Sequence, residues 1–246
     1  MSVLVTGGGG GLGRAVLAGL AARGVAAAVV DIDGNGLADA LDSARGAGVD
    51  VAGEVCDIGD DTAVARTWDA LEEQVGAIEA VVNCAGSYAW RDLAEITPEA
   101  WAETLAANLT GPFIVCRHAG LAWIERGAPG AIVNVASTAA FASGFHEATD
   151  YGAAKAGLVG LTVHLAVKLG PRGIRANAIA PGSFRSPMNE ARLTDPAEVS
   201  RSEAIVPLGR VASAAEVAAV ALYLALDADY VTGTVVPVDG GTLARM

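Results

Sequence analysis

The chain has 246 residues, 52% of them hydrophobic and only 18% charged, so disorder is excluded and one large core or at most two small domains is expected. The formal net charge is −12, from 16 basic and 28 acidic residues, which argues against a nucleic-acid partner. Cys56, Cys84 and Cys116 are widely spaced and form no C-x-x-C pair, as expected for buried thiols in a reducing compartment. The opening MSVLVTG lacks the basic leader of a secretory signal, and Arg14, Arg23 and Asp31 interrupt the apolar stretches. A cytoplasmic chain without a membrane span is the expectation. His118, His146 and His164 form no metal-ligand cluster, so no metal is expected.

In chain order, seven short apolar runs read as strands: SVLVT, VAAAVVD, VDVAGEV, IEAVVNCAG, AIVNVAS, IRANAIAP and VVPVDGG. Between them lie helical patterns near 12–23, 35–45, 60–75, 99–126, 151–170 and 213–226. Strands apolar on both faces that alternate with helices imply a parallel sheet covered on both sides. The expected fold is therefore a single-domain, doubly wound Rossmann-type α/β fold over 1–246, with a seven-stranded parallel sheet flanked by helices. Residues 183–212, rich in Pro, Ser, Arg and Glu, interrupt the alternation beyond a strand's C-terminal edge, and they are the candidate substrate loop.

The run VLVTGGGGGLGRAV sets a glycine cluster between the first strand and the first helix. Gly7, Gly11 and Gly13 permit a tight turn and close backbone approach to a pyrophosphate, and the helix start supplies unpaired N–H groups. The second strand ends at Asp31, 18 residues after Gly13, a spacing suited to a carboxylate that binds both adenosine ribose hydroxyls. That carboxylate would repel a 2′-phosphate, and Ile32 and Gly10 supply no compensating cation. NAD is therefore expected over NADP, with Arg14 the one nearby basic residue. Downstream, YGAAK puts Tyr151 and Lys155 on one face of a helix, where an ammonium can stabilise a tyrosinate that exchanges a proton with an alcohol or ketone.

Together these segments resemble the classical short-chain dehydrogenase/reductase family over nearly the whole chain. Thr6-Gly7 with Gly11-Leu12-Gly13 is similar to its cofactor loop, and Val82-Asn83-Cys84-Ala85-Gly86 resembles its N-N-A-G segment, with Cys84 in place of the second Asn. Asp57 resembles the residue that hydrogen-bonds adenine. The resemblance implies a catalytic tetrad of Asn108, Ser137, Tyr151 and Lys155. Ser137 would hold the substrate oxygen, Tyr151 would act as general acid/base, and Lys155 would lower its proton affinity and bind the nicotinamide ribose. Asn108 would hold a water through a local helix distortion. Implied cofactor contacts further include Leu12, Asn83, Ala85, Gly86, Tyr151, Pro181, Gly182 and Ser186. A homotetramer is implied as well, with the helix at 151–170 and the last strand as symmetric contacts.

By their places in this layout Ser87, Tyr88, Trp90, Ser137, Phe141, His146, Phe184, Arg185 and Met188 are candidate pocket residues. Several are bulky and apolar, which suggests a small-to-medium hydrophobic or aromatic secondary alcohol–ketone pair. A 3-oxoacyl-thioester reductase is the alternative enzyme, and a catalytically silent nucleotide-responsive binding protein is the alternative of another class.

Overall fold

The computed structural model describes residues 1–143, 148–186 and 194–245. Seven strands form one parallel sheet: β1 (Ser2–Thr6), β2 (Ala26–Asp31), β3 (Val51–Val55), β4 (Ile78–Asn83), β5 (Gly130–Val135), β6 (Ile174–Pro181) and a last strand, β9 (Val235–Val238). Their order is β3-β2-β1-β4-β5-β6-β9. The chain thus works outward from β1 to β3, then returns to start β4 on β1's other side. Between β1 and β4 the connections diverge, and a crevice opens at the strands' C-terminal ends.

The two-faced apolar pattern of the strands has the physical basis that a period of two demands. Val3, Val5, Ala27 and Val29 join one core with α1 (Gly11–Ala22), α2 (Gly34–Gly46) and α8 (Ala214–Leu226). Leu4, Ala28 and Val30 point the other way, onto α3 (Asp61–Val75) and α5 (Gly111–Arg126). Fully buried side chains such as Leu20, Leu71 and Ile132 each contribute about 1.5–3 kcal/mol of transfer free energy. The architecture is the expected single-domain, doubly wound Rossmann-type fold.

Three details go beyond the sequence pattern. The helical pattern at 99–126 is not uniform: α4 (Pro98–Leu105) runs into a π-helical turn at Ala106–Thr110 before α5 begins. Residues 183–212 contain a helix, α7 (Pro196–Ile205), N-capped by Asp195, and a short parallel pair between β7 (Phe184–Arg185) and β8 (Ala212–Ser213). Finally, Thr149–Arg172 has the length and mean hydropathy of a membrane span. Here that stretch is α6 (Thr149–Leu169) plus one further turn, and it packs on β6.

A buried polar row crosses the sheet just beneath the crevice. Thr6, Asn83 and Asn134 lie in register on β1, β4 and β5. The Asn83 amide donates to Asn134 Oδ1 at 2.9 Å, and the Asn134 amide donates to the Thr162 hydroxyl of α6 at 2.9 Å. Such a satisfied network fixes strand register in a way that apolar contacts alone do not.

Candidate active site

One cleft of about 780 Å³ opens at the divergence of β1 and β4. The glycine loop forms its first wall. Gly7 has φ of +65°, and a Cβ there would lie 2.7 Å from the Ala85 backbone. A Cβ on Gly13 would lie 2.2 Å from the Gly7 carbonyl oxygen. Lacking side chains, Gly7 can close against the 84–86 segment and Gly13 can pack against the Gly7 carbonyl within the loop. Gly10 caps α1 with no side-chain hydrogen bond, so the helix's first N–H groups and its positive dipole end face the cleft. Gly11 and Leu12 line the same wall.

Asp31, Asp33 and Asp57 line the cleft together at one end. Asp31 is held in place by two backbone donors: Gly9 N–H to Oδ2 and Asp33 N–H to Oδ1, both at 2.9 Å. Arg14 does not line the cleft. Its guanidinium donates to the carbonyls of Gly9 and Gly36 and pairs with Asp39 at 3.7 Å.

At the other end, Ser137, Tyr151, Lys155 and Asn108 meet. Lys155 is buried, donates to the Val135 carbonyl at 2.8 Å, and lies 5.6 Å from the centre of the Tyr151 ring. Burial lowers its pKa to about 8. The Cys84 thiol is itself pushed up to about 12 by burial, so it is a neutral neighbour at ordinary pH. Tyr88 stacks edge-on against Tyr151, with ring centres 5.2 Å apart. Ser137, two residues past β5, caps the turn at Thr138–Ala140 and accepts a hydrogen bond from Ala139 N–H at 3.1 Å, which orients its hydroxyl.

Asn108 sits within the π-helical turn, fully buried. Its amide donates to the carbonyls of Ser87 (2.9 Å) and Thr104 (3.0 Å), which leaves Oδ1 buried with no hydrogen bond among the described residues. A Cβ on Gly86 would lie 2.7 Å from that oxygen and 3.5 Å from Lys155 Nζ. Acceptor and ammonium therefore converge on one point beside Gly86.

Ala85, Gly86, Ser87, Trp90, Pro181, Gly182, Phe184 and Ser186 also line the cleft. Three expected contacts do not. Asn83 is buried in the polar row beneath the floor, where its neighbours consume its side chain, so it supports the loop from below. Phe141 follows the turn that Ser137 caps, and 51% of its surface is exposed outside the cleft wall; Arg185, too, is absent from the lining. His146 and Met188 lie outside the described residues. Conversely, Arg201, Ser202 and Ile205 of α7 line the cleft, and the capping signature Asp195-Pro196 was the available signal for that helix. Also unanticipated is a cluster of the half-buried Arg91 with the buried Thr104 and Asp150, next to Tyr151.

The family model described as Enoyl-(Acyl carrier protein) reductase matches residues 8–242. The 3beta-hydroxysteroid dehydrogenase 1 of Eggerthella lenta is 36% identical over 98% of this chain and 92% of its own length. The 3-oxoacyl-(acyl-carrier-protein) reductase MabA of Mycobacterium avium is 36% identical over 98% of this chain and 89% of its own. A crystal structure of levodione reductase superposes with a TM-score of 0.92 at 34% identity, covering 100% of this chain and 98% of that one. The chain belongs to the short-chain dehydrogenase/reductase family. It is a nicotinamide-dinucleotide-dependent oxidoreductase that interconverts alcohol and ketone groups.

Proposed function

We propose that the protein is a cytoplasmic, NAD-linked dehydrogenase of a small-to-medium hydrophobic or aromatic secondary alcohol, with Tyr151 as its proton-exchanging group. The observation that carries this reading is the convergence of Tyr151, the buried Lys155, Asn108 and Ser137 at one end of a cleft whose other end is a glycine loop and carboxylates. The residues fit a dinucleotide. Gly7, Gly11 and Gly13 with the α1 N–H groups would hold the pyrophosphate, Asp31 the adenosine ribose, and Asp57 the adenine. Lys155 would hold the nicotinamide ribose, and Ser186 with Pro181 and Gly182 would flank the carboxamide.

When bound, the nicotinamide supplies the hydride chemistry. The chain's own residues supply the rest. Ser137 donates to or accepts from the substrate oxygen and fixes its position. Tyr151 takes the hydroxyl proton during oxidation and returns it during reduction. Lys155, charged below about pH 8, favours the phenolate electrostatically. Asn108 Oδ1 and Lys155 Nζ together hold a water that passes the proton to solvent. Tyr88, Trp90, Phe184 and Ile205 offer apolar surface to the substrate body, and 183–212, with α7, serves as the substrate loop.

The NAD preference rests on Asp31 and on the engagement of Arg14 by Gly9, Gly36 and Asp39. Asp31→Ala is expected to lower kcat/KM for NAD by about 10- to 100-fold, the worth of charge-assisted hydrogen bonds, and to affect NADP far less. Steady-state kinetics with both cofactors check this, and a parent enzyme that prefers NADP would end the assignment.

Assembly as a homotetramer is supported by apolar residues left exposed on neighbouring helices, Phe113 and Leu121 on α5 and Val163 and Val167 on α6, and by the unpaired edge of β9. Sedimentation of the purified protein as a monomer at micromolar concentration would remove that part of the reading. A 3-oxoacyl-thioester reductase remains the second reading, favoured by the similarity to the Mycobacterium avium reductase. A panel of secondary alcohols, ketones and 3-oxoacyl thioesters, read by NADH absorbance, tests both. Turnover is expected on free alcohols and ketones, and turnover confined to thioesters would reverse the choice.

A further inference from the structure

Asp150 immediately precedes Tyr151 and is fully buried, an unusual place for a carboxylate. Its Oδ2 accepts from the Thr104 hydroxyl at 2.7 Å and from Arg91 Nη1 at 3.2 Å, while Oδ1 accepts from Tyr151 N–H at 2.9 Å. Arg91 Nη1 also donates to the Thr104 hydroxyl at 3.3 Å. The three side chains come from three elements: the loop after β4, α4, and the first turn of α6. The same loop carries Tyr88, stacked on the Tyr151 ring, and Ser87, whose carbonyl receives Asn108. The backbone carbonyl of Thr104 receives Asn108 as well.

We propose that the Arg91–Asp150 ion pair, seated on Thr104, is a positioning device that ties the substrate-side loop to the start of the catalytic helix and keeps the charge beside Tyr151 balanced. Burial makes the balance consequential. A carboxylate left alone at this depth disfavours ionisation of a nearby phenol, and a guanidinium left alone favours it. Lys155, from the same helix, lies 5.6 Å from the centre of the Tyr151 ring, and Tyr88, from the loop, stacks edge-on against it. Cys84, the residue after β4, stays neutral, its thiol pushed up to about 12 by burial. Asp150 itself is faced by Arg91 from the loop and Thr104 from α4.

The inference rests on Tyr151 being the proton-exchanging group, and its test does not need the substrate. With NAD bound, the ultraviolet difference absorbance of tyrosinate is titrated in each variant and corrected with Tyr151→Phe, so that only this phenol is read. Asp150→Asn leaves a guanidinium that stays charged throughout, and is expected to lower the midpoint by about half to one pH unit. Arg91→Met is expected to raise it by a similar amount, and the double variant to return it to the parent position. Opposite signs with cancellation are outside the reach of a purely structural role, which would change melting temperature and leave the midpoints together. An unshifted Asp150→Asn midpoint, or two single variants that move the same way, would overturn the proposal. If one single variant fails to fold, the other with the double variant decides on the same terms. Failure of the parent to oxidise any alcohol, with these shifts intact, would remove the proposed function and leave the positioning role.

Discussion

Tyr151→Phe is expected to lower kcat by about 10²- to 10⁴-fold, the range that general acid–base catalysis contributes, while stability stays within about 1 kcal/mol of the parent. The change removes one oxygen and keeps the ring, so the edge-on contact with Tyr88 and the packing at 5.2 Å survive. Because the glycine loop and Asp31 are proposed to hold the cofactor, its dissociation constant is expected to move by less than about threefold. Turnover with the best alcohol of the panel, alongside a fluorescence titration with NADH, separates the two effects. Loss of cofactor binding in step with turnover would make Tyr151 a binding residue; near-parent turnover would remove it from the mechanism.

Lys155→Met gives the second large effect, and it runs in opposite directions for activity and stability. The folded lysine releases its proton near pH 8, against 10.5 for an unperturbed side chain, because burial penalises the ammonium. Below about pH 8 both folded and unfolded states carry the proton, and the folded state bears the full cost of the buried charge. Between about 8 and 10.5 the unfolded state binds more protons, so the parent gains stability as pH rises. Methionine avoids the cost but abandons the hydrogen bond to the Val135 carbonyl. The net expectation is a variant more stable than the parent by about 2 kcal/mol at pH 7, with the advantage fading as pH approaches 10.5. Turnover falls as steeply as for Tyr151→Phe, since the phenolate loses its cation. Denaturant unfolding at pH 7 and at pH 10 checks the first part. A variant less stable at pH 7 would mean that Lys155 contributes more through its hydrogen bond than burial costs it.

What the sequence made legible follows from which interactions are local. Strands apolar on both faces, the glycine run and the Tyr–Lys spacing are patterns within a few residues, and the matching elements stand where those patterns put them. The π-helical turn at Ala106–Thr110 left no periodicity to read, because one widened turn barely disturbs the apolar stripe of the helix around it. Asn83 belonged to the sheet's polar row and not to the cleft, a distinction set by Asn134, 51 residues away. The Arg91–Asp150 pair joins residues 59 apart, and each alone reads as a surface charge. Phe141 directly follows the turn at Thr138–Ala140 and is not among the cleft-lining residues. For Asn83 and for the Arg91–Asp150 pair the missing information was a tertiary contact, and much of the polar chemistry around the reacting end depends on such contacts.

The most direct test of the account is a crystal structure of the enzyme with NAD and the alcohol it oxidises best. The phenol oxygen of Tyr151 is expected within about 2.6–3.2 Å of the substrate oxygen, with Ser137 on the same atom and Lys155 on the nicotinamide ribose. A complex in which the phenol turns away from the nicotinamide in every subunit, while the crystals turn over substrate, would contradict it.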